Sequence, residues 1–265
     1  MKSKPKTIDE YVDWFKQDFN IDLRHKQTET AYKINSSNAL TTIQESNFFK
    51  QLPSKLEEYA KSYETQHSAD LLMAVPSLKL DQKPYASLID KTFRYNVLWN
   101  KNWPKEPKLG WLTPESWYEK INDLIRTTVV CKFIDGPGFL AENIKLFAQS
   151  MSIEAESRPQ GRDEGYYAYH FYAYFDVDLF MPNGATKSSR VRLEIQVTTQ
   201  LQDILRKLTH KHYAEDRVRQ ETDAWRWEYS SNKFKSRFLS HTLHLLEALI
   251  VELRDENKTP EESSR

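Results

Sequence analysis

The sequence predicts an α/β chain with helical flanks, and three stretches carry that prediction. LIRTTVVCKFI, from Leu124, is a nearly continuous β-branched run, the pattern of a strand buried on both faces. GPGFLAENIKLFAQSM, from Gly136, returns to helical period, and IEAESR, from Ile153, reads as a further strand. GYYAYHFYAYFDVDLFMPNGATKSSRVRLEIQVTT, Gly165 to Thr199, is an aromatic-rich hairpin whose turn lies in PNGATKSS.

The remaining elements follow from spacing. Tyr11, Trp14 and Phe15 lie on one face of a first helix, and Leu40 to about Gln66 continues as helix with a break expected at Pro53. Lys83 to Asn100 reads as helix. After the loop NWPKEPKLGWLTP, Thr113 is expected to cap the short helix PESWYEKIN. Leu201, Ile204, Leu205 and Leu208 recur at helical spacing in TQLQDILRKLTHKHYAEDR, and a last helix runs from about Phe234 to Asp255 before a polar tail expected to be disordered.

Composition excludes several classes. The 265 residues are enough for a sizeable core, and 39% hydrophobic with 13% aromatic content is that of a folded chain. No apolar run of about 18 residues exists to span a bilayer, and the charged N-terminus lacks the apolar block of a secretion signal. A cytoplasmic protein with no membrane partner is the expectation. The single cysteine, Cys131, stands in an apolar run, as a core residue does. With 38 basic and 38 acidic residues the chain has no net field, so a phosphate-bearing partner must be held by a local patch.

Two constellations supply such patches. Strand side chains alternate faces. Odd positions of the hairpin are mainly apolar (Phe171, Val177, Val191, Leu193, Ile195, Val197), whereas Tyr166, His170, Arg192, Glu194, Gln196 and Thr198 fall on the even face. Pairing that joins the apolar faces also joins the polar ones. Read as surface, that face is solvated; its tyrosines beside basic residues also suit a nucleobase. In KPYASLIDKTFR, Lys83, Ser87, Lys91 and Arg94 recur at i, i+4, i+8 and i+11, one helical stripe that either faces solvent or grips a polyphosphate.

Taken in order, Lys83-x3-Ser87-x3-Lys91, Asp123 at the head of a strand, Gly165-Tyr166-x3-His170, Glu194-x-Gln196 and His210 on the following helix resemble the RelA/SpoT-type pyrophosphokinase domain, in its small single-domain alarmone synthetase branch. The resemblance implies a nucleotidyltransferase-like mixed sheet flanked by helices, with residues 79–217 as the core, 1–78 as an N-terminal helical extension and 218–265 as a C-terminal helical region. It also implies transfer of the β,γ-pyrophosphate of ATP to a ribose 3′-hydroxyl with release of AMP. Asp123 and Glu194 would be the catalytic carboxylates holding Mg2+, since magnesium takes hard oxygen ligands. Lys83, Ser87, Lys91 and Arg94 would line ATP; Tyr166, His170, Arg162, Gln196 and His210 would contact the acceptor.

The chain departs from the family pattern at Asp81, Thr128 and Thr198, where cations are usual, with Arg126, Arg94 and Arg192 near enough in sequence to substitute. Divergent members of the branch are toxins with a cognate antitoxin, some acting on the 3′-CCA end of tRNA. Arg206, Lys211, Arg219, Arg226 and Lys233, interleaved with Tyr213, Trp225, Trp227 and Phe234, suit an RNA backbone and make tRNA the first expectation for the acceptor. Synthesis of (p)ppGpp or (p)ppApp from purine nucleotides is the alternative, because Glu215, Asp216, Glu221, Asp223 and Glu228 lie in the same stretch. A degenerate nucleotide- or RNA-binding module is a third option, from another functional class.

Overall fold

The computed structural model describes residues 3–73, 78–161, 165–181, 184–216 and 223–257, with the backbone alone at 210–216, 223 and 224. A mixed five-stranded sheet runs in the order β1-β2-β5-β4-β3, with β1 at Asp81–Gln82, β2 at Ile125–Cys131, β3 at Ala155–Gly161, β4 at Tyr167–Phe180 and β5 at Thr186–Thr199. Helices α1 (Ile8–Phe19), α2 (Lys26–Glu45), α3 (Asn47–His67), α4 (Tyr85–Phe93), α5 (Trp117–Lys120), α6 (Gly136–Ser150), α7 (Gln200–Asp216) and α8 (Asn232–Glu256) flank it. This is the mixed sheet with helical extensions that the resemblance implied. Strand β2 alternates fully and half-buried residues instead of burying both faces equally. No described helix is long and apolar enough to cross a membrane.

The chain forms two compact units. The first comprises Met1–Ser46, Leu80–Arg126 and Tyr174–Glu194. Here α1, capped by the Thr7 hydroxyl, buries Tyr11, Val12, Trp14 and Phe15. The tryptophans of the Pro-rich loop close around Trp14, with ring centroids 4.8 Å away for Trp103 and 5.4 Å for Trp111. Helix α4 passes into a π-helical turn, Arg94–Leu98. Its Asn96 side chain donates to the Tyr11 hydroxyl and the Leu112 carbonyl, both at 3.0 Å, and accepts from the Leu112 amide at 2.9 Å. On α2, Asn35 pairs with both backbone groups of Phe180 at the end of β4, at 3.0 and 2.7 Å.

Two local expectations change. The helix break falls at Ser46, whose ψ of 146° is extended and whose hydroxyl bonds the Ile43 carbonyl at 2.6 Å; Pro53 lies within α3, which runs on through it. Thr113 does not cap α5 with its hydroxyl. Its carbonyl accepts from the amides of Ser116 and Trp117, and the Ser116 hydroxyl accepts from its amide.

The second unit comprises Asn47–Lys79, Thr127–Ala173 and Ile195–Arg265. Helices α3 and α6 share an aromatic core in which Phe48 stacks on Phe147 and Phe171. Cys131 is buried there, and a Cβ at Gly136 would meet the Cys131 Cβ and a Leu71 methyl at 2.9 Å, so only glycine fits that approach. Burial pushes the Cys131 thiol far above its ordinary range, as befits an inert core residue. Helix α7 departs from the expected apolar face: Leu205 is buried, but Leu201, Ile204 and Leu208 are exposed, and Gln202 and Asp203 turn inward. Helix α8 is inverted in the same sense. Arg237, Ser240 and Glu247 are its buried residues, while Phe238, Leu239, Leu245, Leu246, Leu249, Ile250 and Leu253 are exposed.

Removing a buried partner strands the donors and acceptors it satisfied. Asn96→Ala orphans the Tyr11 hydroxyl and both Leu112 backbone groups, and should lower unfolding free energy by about 2–4 kcal/mol in urea titration.

Candidate active site

In the first unit the site is built around one carboxylate. Lys83 does not lie on the helix, as its spacing had suggested: it precedes α4, its amide bonded to the Leu124 carbonyl at 2.8 Å and its carbonyl accepting from the Tyr32 hydroxyl at 2.6 Å. Those bonds hold the chain so that Lys83 Nζ reaches Asp123 Oδ2 at 2.8 Å. Lys91, in the last turn of α4, reaches Oδ1 at 2.7 Å. Each carboxylate oxygen thus carries one ammonium group, and all three side chains are at most 28% exposed. Burial alone would raise the Asp123 pKa, but the charges of Lys91 and Lys83 outweigh it and hold the carboxyl well below the usual range. Lys83 itself is pulled down by burial, against the attraction of Asp123.

Around this cluster the other named residues separate. Ser87 is exposed on α4, one turn from Lys91. Arg94 is turned into the protein, bonded through Nε and Nη2 to Asp90 at 3.0 and 2.8 Å and lying over Trp99. Arg126 is half-buried and stands opposite Asp81 in the β1–β2 register. Glu194, on β5, is 3% exposed. Strand parity puts it on the face from which Arg192 donates to Asn122, the neighbour of Asp123. Arg190 and Arg192 both lie over the Tyr174 ring, at 4.7 and 5.2 Å. No three described His, Cys, Asp or Glu side chains gather as a metal cage. Asp123 and Glu194 are each of the ligand type magnesium takes, since it commonly binds through one or two carboxylates plus phosphates and water.

The second unit holds an aromatic cluster. His170 is 7% exposed, with Nε2 at 2.9 Å from the Tyr166 hydroxyl and Nδ1 at 3.1 Å from that of Tyr172. Both ring nitrogens are thus engaged by tyrosine hydroxyls. Arg158 was missed by sequence reasoning. It stands opposite His170 in the β3–β4 register, its guanidinium 5.2 Å from the Tyr172 ring and its Nη2 3.2 Å from Glu156. The strand was legible; its register was not. Gln196 is buried, as are Glu194 and Thr198, so this stretch of the even face is covered and not solvated.

Other expected positions fall elsewhere. Arg162 and Arg219 lie outside the described residues, and His210 and Lys211 are described only as backbone of α7. Arg206 and Lys207 both pair with Asp203, at 2.7 and 2.6 Å. Arg226 is exposed with its guanidinium 5.1 Å from the Trp225 ring, and Lys233 is half-buried in the first turn of α8. Arg237 is 1% exposed and lies over the same ring at 4.4 Å, so it adds nothing to a basic surface.

Asp123→Asn would leave two ammonium groups facing each other without their shared counter-charge, at a cost of about 3 kcal/mol at neutral pH. Because the folded carboxyl is depressed, its contribution is present above the ordinary carboxylate pKa of about 4 and is lost as pH falls through the lower folded value. Denaturant titrations should therefore show wild type and variant converging in acid.

Neither a family model nor a curated protein sequence matches the chain. Among solved structures, the small alarmone synthetase 1 from Bacillus subtilis, bound to its product pppGpp, superposes with a TM-score of 0.52 at 20% identity, covering 89% of this chain and 100% of that one. A GTP pyrophosphokinase family protein from Streptococcus pneumoniae superposes with a TM-score of 0.50 at 16% identity, covering 78% and 87%. The chain has the fold of these two proteins.

Proposed function

We propose that the protein transfers the β,γ-pyrophosphate of ATP to the ribose 3′-hydroxyl of a purine nucleotide, releasing AMP. The observation that carries this reading is the Lys83–Asp123–Lys91 cluster: two cations held about one carboxylate in a partly buried place. An incoming triphosphate competes with Asp123 for both lysines, and each ammonium exchanges a carboxylate oxygen for a phosphate oxygen without leaving its position. Asp123 is thereby released as a ligand, and with Glu194 it would hold magnesium, which neutralises charge on the transferred group. Ser87 is one turn from Lys91 on α4 and donates to the same phosphates. The acceptor oxygen attacks the β-phosphorus, the bond to the α–β bridging oxygen breaks, and the hydroxyl proton passes to Glu194.

The acceptor base stacks on Tyr166, whose hydroxyl is held by His170, and Arg158 meets the acceptor phosphates. Of the cations on which the tRNA reading rested, Arg206 pairs with Asp203, Arg226 lies against the Trp225 ring and Lys233 is half-buried, which does not favour a long RNA backbone over a mononucleotide. A polyanion needs several exposed cations, whereas a mononucleotide does not. The bound pppGpp of the Bacillus subtilis structure accords with the purine acceptor.

The test is incubation with ATP labelled at the γ-phosphate and, separately, GDP, GTP, AMP or total tRNA. Label should move to a purine nucleotide; label on tRNA alone overturns the acceptor, and no transfer at all overturns the reaction. Glu194→Gln should reduce transfer at least about 100-fold, on the scale of a lost transition-state electrostatic group. Lys91→Ala should weaken binding of a non-hydrolysable ATP analogue about tenfold while leaving acceptor affinity in place, as calorimetry would show.

A further inference from the structure

The chain entering β4 carries Tyr166 just before the strand and is fastened to α8 at both neighbours of that residue, Gly165 and Tyr167. Gly165 has φ +84°, and a Cβ there would sit 2.6 Å from the Ser240 Cβ and 2.9 Å from the Arg237 carbonyl oxygen, so strand entry and helix are in direct contact. The Ser240 hydroxyl, 2% exposed as a residue, donates to the Gly165 carbonyl and also lies 3.0 Å from Gln202 Oε1. Gln202 Nε2 in turn lies 3.4 Å from the Ser240 carbonyl and 3.5 Å from Glu247 Oε2. On the other side, the Tyr167 hydroxyl meets His241 Nδ1 at 2.6 Å, and its ring is stacked on His244 with centroids 3.6 Å apart and planes 7° from parallel. The Tyr167 carbonyl accepts from the Thr198 hydroxyl at 3.0 Å.

Buried polar groups cost free energy unless bonded, and an apolar α8 face would pack at lower cost. This helix instead turns Arg237, Ser240 and Glu247 inward and leaves seven large apolar side chains exposed. We infer that Ser240 and His241 are positioning residues for the nucleotide acceptor: through Gly165 and Tyr167 they set the pose of Tyr166. The inference rests on the reading of Tyr166 as the base-stacking residue. A stacking ring gains from being held in place, because ordering it on binding would otherwise cost rotamer and loop entropy. Helix α8 therefore acts on acceptor affinity without touching the acceptor.

Ser240→Ala and Tyr167→Phe test this, with Ser236→Ala as control, since the Ser236 hydroxyl bonds the Lys233 carbonyl within its own helix. Two measurements are made: steady-state kinetics with each substrate varied, and amide hydrogen exchange at 165–170. Both test variants should raise the acceptor KM about tenfold with kcat and the ATP KM within about twofold, and should speed exchange at 165–170 about tenfold, the scale of one lost hydrogen bond. The control should change neither. Parallel loss of kcat and both KM values would indicate a general structural role and overturn the inference. So would unchanged exchange at 165–170 in both variants. A wild-type protein that labels no nucleotide defeats the proposed function instead, and the exchange measurement still decides whether α8 clamps the loop.

Discussion

Two ammonium groups of a single chain, both withdrawn from water, stay together only if a negative charge stands between them. Asp123 is that charge, and much of the first unit is arranged to deliver its two partners to one point. Lys83 is fastened at both ends of its peptide, by Leu124 and by Tyr32, so its side chain starts from a fixed position. Lys91 is delivered by one and a half turns of α4, whose inner face of Leu88, Ile89, Thr92 and Phe93 is buried. The carboxylate is kept ionised by its neighbours even though its burial favours the neutral acid. A cluster with one negative and two positive charges is poised for a polyanion, since exchange of the carboxylate for phosphate keeps each cation paired.

The second unit answers a different problem, that of holding aromatic rings still. Tyr166 shares a hydrogen bond with His170, and His170 is braced by Tyr172, which lies under the Arg158 guanidinium. Each member fixes the next, and none relies on a long flexible side chain except Arg158. Its own position comes from pairing across β3 and β4. Behind the same strand, α8 is polar on its buried side, an arrangement that spends packing energy to fix backbone and rings. Elsewhere in this unit α8 is tied by Arg254, which donates to the Tyr63 hydroxyl and to Asp135 at the start of α6.

Much of this was legible in residue order. The β-branched run from Ile125, the helical period after Gly136 and the alternation through the hairpin each name their element, because burial on one face of a strand or helix imposes a period that survives in any tertiary setting. The motif residues Lys83, Lys91, Asp123, Tyr166, His170 and Glu194 were also singled out there, since chemistry at phosphate restricts residue type. Legibility failed where the turning of a side chain about its helix decides what it meets. Arg94 and Lys91 look alike on a helical stripe, yet Arg94 is bound to Asp90 and Trp99 within the same turn of chain. Leu201, Ile204 and Leu208 have helical spacing, yet α7 buries Gln202 and Asp203 in preference.

By itself, then, the sequence determined the strand and helix periods, the absence of an apolar stretch long enough to span a bilayer, and the identity of the cationic, acidic and aromatic groups available for nucleotide chemistry. Those properties depend on residue type and near-neighbour spacing alone. Tertiary structure decided which of those groups meet: that one carboxylate takes both lysines, that Arg158 faces His170, that Arg237 is buried, and that Ser240 reaches Gly165, 75 positions away in sequence. Register and helix rotation are set by the summed packing of a whole unit. A single residue's own preference is too weak to fix them.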